Sequence, residues 1–210
     1  MAKKKKDDKP EPQSVLYYFY TQERLDNWMK TLMELDFEGD PESDEMPEGL
    51  ASLDNFTKDL NVSVLKIVKI FQNNGFDSKT ALDKMNEVEE IIMGEVPENE
   101  LTDILQGVQM RFLVLFLSCR KYINGEIPSA EIKDLVKSGR DVGDEDPEKA
   151  LEIAADIGAL VLDGGSCCGK YLRGDVDEPI MFDDWLIEVD DMGEAMKTLS
   201  KFDEEFGVGI

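Results

Sequence analysis

The sequence predicts an all-α fold, a single-domain bundle of about seven or eight helices around a central apolar helix at about 98–124. Apolar residues recur at three- and four-residue spacing in every strong segment, the period of one helix face. Short turns of Gly, Pro and Asn separate those segments, as expected of neighbouring helices in a bundle. The chain has 210 residues, enough for one compact core.

Residues 1–14 mix charge, Pro and Gln without apolar periodicity, which predicts a disordered basic tail ahead of a single helical domain over 15–210. The first helix follows from Leu25, Trp28, Met29 and Leu32 at i, i+3, i+4 and i+7, with Thr21 as N-cap and an end near Leu35. An acidic, proline-containing linker occupies 37–49. The stripe Leu53, Leu60, Val64, Ile67, Val68 and Phe71 then runs to Asn73-Asn74-Gly75, residues suited to a left-handed C-cap. Ser78 is expected to cap a third helix carrying Ala81, Met85, Val88 and Ile92 inward, which stops before Pro97.

The segment from Glu98 to Asn124 is apolar on all sides across Phe112–Leu117, as a helix surrounded by others should be. A short helix with Ile132, Leu135 and Val136 is expected to close at Gly139. Asp146 as N-cap with Pro147 at the first position opens the next, in which the Ala154-x-x-x-Gly158 spacing admits a close neighbour. After a Gly-rich break, Pro179 precedes the stripe Phe182, Trp185, Leu186 and Val189, and Asp191 with Glu194 resembles a capping box opening a last helix through Met196 and Leu199. Strands stay open as an alternative at Lys170–Met181.

Charge and missing residue types narrow the function. The chain holds 23 Lys and Arg against 47 Asp and Glu, a net −24. Residues 1–10 carry five Lys and two Asp, or +3, which leaves −27 on the remainder. Such a body repels nucleic acid, and the Lys3–Lys6 arm is the one route to RNA or DNA. Histidine is absent, which removes Ser-His and Cys-His nucleophile pairs, imidazole acid–base chemistry and His-dependent metal sites. Three cysteines, two of them adjacent, argue against a disulfide framework and for a reducing cytoplasm. The longest apolar run, near 112–117, is far short of a membrane span, and the Lys-rich start lacks the apolar stretch of a secretory signal.

Gly164 to Lys170 fits the G-x-x-x-x-G-K frame of a phosphate loop, but Tyr171 stands where a Ser or Thr must meet magnesium. The frame therefore reads as a helix-to-helix loop. Cys167 and Cys168 are too close in sequence to share a metal as C-x-x-C does, although Lys170 and Arg173 nearby would favour a reactive thiol. Asp40, Glu42 and Asp44 begin a calcium-loop pattern that fails at Glu45 and Ala51. Asp183-Asp184 and Asp190-Asp191 read as solvated faces or caps. Tyr17, Tyr18, Tyr20 and Trp28 form a dense aromatic stretch, read as core packing of the leading segment with an exposed recognition patch as the alternative. No catalytic, cofactor-binding or metal-binding residue is assigned.

Three stretches, Phe19-Tyr20-Thr21-Gln22-Glu23-Arg24 with Asn27-Trp28, Gly107-Val108-Gln109, and Gly158–Gly164, together resemble an uncharacterised archaeal protein family, a domain of unknown function found in methanogens and haloarchaea. The resemblance runs from about residue 17 to the C-terminal helix. It implies a single cytoplasmic domain and brings no activity, ligand or catalytic residue. It also gives the acidity a second cause, solubility in a salty cytoplasm; 18 Lys against 5 Arg points to moderate salt. The leading functional expectation is a non-catalytic protein–protein interaction adaptor or regulator with an acidic face for a basic protein partner. The alternative is a small-molecule or metal-binding protein, or an enzyme, using carboxylates and the Cys167-Cys168 loop.

Overall fold

The structure, a computed structural model, describes residues 19–38, 45–165, 169–172 and 180–206. Among them are seven α-helices: α1 Gln22–Met33, α2 Glu48–Gln72, α3 Ser78–Ile92, α4 Thr102–Asn124, α5 Ile132–Val142, α6 Pro147–Leu162 and α7 Met181–Phe206. The fold is all-α, with no strand among the described residues. Short 3-10 turns at Gly143–Glu145 and Gly169–Tyr171 complete it. The Lys170–Met181 stretch held open for strands starts in the second of these turns, and residues 173–179 lie outside the described residues.

The central position falls to α4, which packs on α2, α3, α6 and α7. Phe112, Val114, Leu115, Phe116, Ser118 and Cys119 are buried around its circumference, because an apolar residue at every helical angle leaves no face for water. The helix starts at Thr102, later than the expected Glu98. Local hydrogen bonds hold the preceding turn: the Asn99 N–H donates to Thr102 Oγ1 (2.9 Å) and the Leu101 N–H to Asn99 Oδ1 (2.8 Å).

Caps set the other boundaries. Thr21 accepts from the Arg24 N–H and Asp146 from the Lys149 N–H, with Pro147 at the first position of α6. Asn74 turns the chain out of α2 at φ 59°. In α3 the cap is Asp77, whose side chain accepts from the Thr80 N–H, and Ser78 is the first helical residue.

Two expected breaks are absent. Gly139 does not end α5, which continues to Val142; it is small because a Cβ there would overlap the Phe182 ring of α7. Asp191 and Glu194 do not open a separate helix, since α7 is continuous from Met181. Buried Val189 and Met192 carry one apolar stripe through that point, so packing overrides a local start signal. Gly158 permits the expected close approach, its missing Cβ leaving room for Ser118 of α4.

Candidate functional site

Two concave features stand out. The first is an apolar groove of about 230 Å³ beneath α1. Leu25 and Met29 of α1 form one wall, Phe56 and Leu60 of α2 another, and Ile91, Val96, Leu105 and Val108 close it from α3, the following loop and α4. Gln109 fixes the end of α3 by donating from Nε2 to the carbonyls of Ile92 (3.0 Å) and Gly94 (2.8 Å), which otherwise have no intrahelical partner. Exposed Asp26 and Glu95 stand on the rim. Among the described residues of α1 only Leu32 is fully buried. The helix is hooked to α2 at Asp59, whose carboxylate accepts from Arg24 through Nε (2.8 Å) and Nη2 and from Trp28 Nε1 (2.9 Å).

The second is a polar network between α2, α4 and α7. Glu188 is only 1 % exposed. Its Oε1 accepts from Asn61 Nδ2 (2.6 Å) and its Oε2 from Arg111 Nη2 (2.9 Å), with Asp191 Oδ2 3.5 Å from the same guanidinium nitrogen. Burial raises the Glu188 carboxyl above the usual Glu range, while Arg111 and the Asn61 hydrogen bond pull it back and Asp191 adds to the rise. Asn61 Oδ1 is buried without a hydrogen-bond partner among the described residues. Above the network, a cleft of about 290 Å³ opens between α2 and α7. No three His, Cys, Asp or Glu among the described residues converge as a metal site.

Residues 18–205 match the model of a family described as an uncharacterised protein conserved in archaea (DUF2150). The chain belongs to that family. No curated protein and no solved structure matches it. Membership covers nearly the whole helical domain and brings no assigned activity or site. The residues that carried the resemblance have structural work in this family member: Gln109 caps α3, Gly158 lets α4 and α6 touch, and Thr21 caps α1.

Tyr20 is buried, only 4 % exposed, with a hydroxyl that has no partner among the described residues. Burial, with Asp59 close by, pushes its phenol upward. Trp28 is half-buried against Phe56, so neither ring stands on an open patch. Tyr17, Tyr18, Cys167, Cys168 and the Lys3–Lys6 arm lie outside the described residues, as do Asp40, Glu42 and Asp44. Cys119 is free and buried in α4, where burial pushes its thiol up, away from reactivity. Of the phosphate-loop frame, Gly164 and Gly165 close α6, with φ 94° at Gly164 and the Gly165 N–H donating to the Leu160 carbonyl (2.8 Å). That frame therefore follows a helix C-terminus, whereas a phosphate loop leads from a strand into a helix N-terminus. No helix among the described residues is long and apolar enough to cross a membrane.

Asn61, Arg111 and Glu188 were not singled out in the sequence, although two of them carry a signal. Asn61 sits beside Leu60 in the apolar stripe of α2, and Glu188 falls three residues after Trp185 on the buried side of α7. A polar side chain on an apolar stripe has to find a partner. Arg111 follows only once the fold sets it 2.9 Å from Glu188.

Proposed function

We propose that this protein is a non-catalytic adaptor or regulator that takes an apolar anchor, flanked by basic residues, from a partner protein into the groove beneath α1. The observation that carries the reading is the groove itself: about 230 Å³ of apolar wall with Asp26 and Glu95 at its mouth. That volume suits one or two large side chains, the scale of an interface hot-spot pocket, and is below the usual range of small-molecule sites. The charge supports a basic partner, because residues outside the first ten sum to −27 and steer cations toward the rim. Exposed Met33 and Met46, 59 % and 68 % accessible, add adaptable apolar surface near the end of α1 and the start of α2. The odd cysteine number favours a cytoplasmic encounter.

The test uses lysine-flanked peptides with a central Leu-Phe anchor and matched peptides with Ser at those positions, titrated by fluorescence anisotropy against the full chain. Burying one Leu-sized side chain is worth about 2 kcal/mol, so the anchored peptide should bind roughly thirtyfold tighter. Met29→Gln should remove most of that difference. Equal affinity for both peptides would sink the reading.

A further inference from the structure

The groove beneath α1 has a neighbour. Past the end of α1 a second groove, of about 700 Å³, opens between α1, the chain that follows it and the start of α4. Leu32 and Met33 of α1, Leu35 and Phe37 beyond it, and Leu101 and Ile104 at the start of α4 supply its apolar surface. Three stretches of chain pass from one groove to the other. Along α1, Met29 lines the first and Met33 the second; along the α3–α4 loop Val96 and Asn99 do so, and in α4 Leu105 and Ile104. Leu25 of the first groove and Leu32 of the second share one face of α1, seven residues and so about 10 Å apart. Charge runs the same way along both. Exposed Asp26 and Glu95 rim the first and exposed Asp36, Glu38 and Glu100 the second, while neither lining holds a Lys or Arg among the described residues. Met33 is 59 % exposed, and Asn99 Nδ2 reaches its sulfur at 3.9 Å, a weak contact that an incoming side chain displaces at little cost.

We infer that the two grooves together take a basic amphipathic α-helix of a partner protein, with two large apolar anchors seven residues apart on its sequence. The first anchor sits beneath α1 and the second in the groove past its end. The inference rests on the reading of the first groove given above, and adds the conformation of the partner and a second contact. A helix returns to the same face after seven residues and covers about 10.5 Å in doing so, the Leu25–Leu32 spacing. An extended strand presents same-face side chains at about 7 and 13 Å instead. Lys and Arg beside the anchors meet the carboxylates of both rims, which carry no cation of their own. A second copy of this chain offers the wrong sign, with −27 outside its first ten residues. The chain's own basic tail, residues 1–14, has Pro10 and Pro12 against a helix and no large apolar residue after Met1.

The test is fluorescence anisotropy of the full chain with three lysine-rich helical peptides of equal charge, carrying one Phe, Phe at i and i+7, or Phe at i and i+5. The i, i+7 peptide should bind about tenfold tighter than the single-anchor peptide. The i, i+5 peptide, whose second ring points about 140° away, should gain less than threefold. Met33→Gln, at an exposed position, should cancel the i+7 gain and leave single-anchor affinity unchanged, whereas Met29→Gln weakens both. Single-anchor binding with no i+7 gain would overturn the helix and its second contact while leaving the first groove's reading in place; no binding by any peptide would sink both. An equal gain from i, i+5 would show general attraction to an acidic surface and overturn the inference. So would equal affinity for an i, i+7 peptide with Gln in place of Lys, or a dimer of the free chain in sedimentation that Met33→Gln dissolves.

Discussion

Gly107, Gly139 and Gly158 all stand inside helices, where Ala is favoured over Gly by about 1 kcal/mol, yet their surroundings give them opposite signs. A Cβ on exposed Gly107 meets nothing within 4 Å, so Gly107→Ala should stabilise by about 0.5–1 kcal/mol. At Gly139 a Cβ overlaps buried Phe182, and at Gly158 it overlaps Ser118. Gly139→Ala and Gly158→Ala should each lose about 1–3 kcal/mol, read as urea midpoints at unchanged slope. A stabilised Gly158→Ala would mean that α4 and α6 stand further apart. Glu188 makes a second residue-scale case. Its folded carboxyl binds a proton more tightly than the ordinary value of 4.5, so its contribution is fully present below that value and declines as pH rises through the raised folded pKa. Glu188→Gln removes this decline. Melting curves of both proteins from pH 4 to pH 7 should therefore show the variant gaining on the wild type as pH rises; a gap that narrows would contradict the burial-driven shift.

At the scale of elements, α1 is the loosest attachment, with Leu32 its one fully buried residue and the Asp59 hook its main polar tie. Asp59→Ala leaves the part-buried Trp28 indole N–H unpaired and frees Arg24. Amide hydrogen exchange in α1 should then quicken by an order of magnitude or more, matching a loss of about 1–3 kcal/mol, while α4 and α6 keep their protection. Uniform acceleration across all helices would instead mark α1 as integral to the core. Periodicity in the sequence was sufficient to find the helices, because each buries a continuous stripe. Thr21, Asp146 and Asn74 were readable because a cap is a contact within four residues. Gly139 was misread because one glycine can end a helix or admit a ring, and only Phe182, 43 positions away like the Arg140–Asp183 pair beside it, decides which; the Asp191/Glu194 pair was misread because buried Val189 and Met192 carry the α7 stripe through it. The groove and the way Asn61, Arg111 and Glu188 come together were not legible for the same reason, since each joins residues from three or more separate helices, although Asn61 and Glu188 stand out singly as polar residues on apolar stripes.

For the whole molecule, the charge sets the conditions of stability. Exposed pairs such as Lys58–Asp54 and Lys197–Glu194 contribute little individually, so they do not offset the mutual repulsion of 47 carboxylates. Raising KCl from 0.05 to 1 M shortens the Debye length to about 3 Å and should raise Tm by about 2–6 °C, levelling off as screening saturates. A flat or falling Tm would show that the acids are spaced widely enough not to matter. At Gly158 the Ser118 side chain of α4 lies directly against the α6 backbone, and that seam joins the two into one keel with α7 packed on both. The twelve-residue α1, with Leu32 its one fully buried residue, is the lightest attachment to that keel. Over generations, then, the α1 wall of the groove at Leu25 and Met29 can be edited while the load on the frame, and hence its tolerance of mutation, stays where it was.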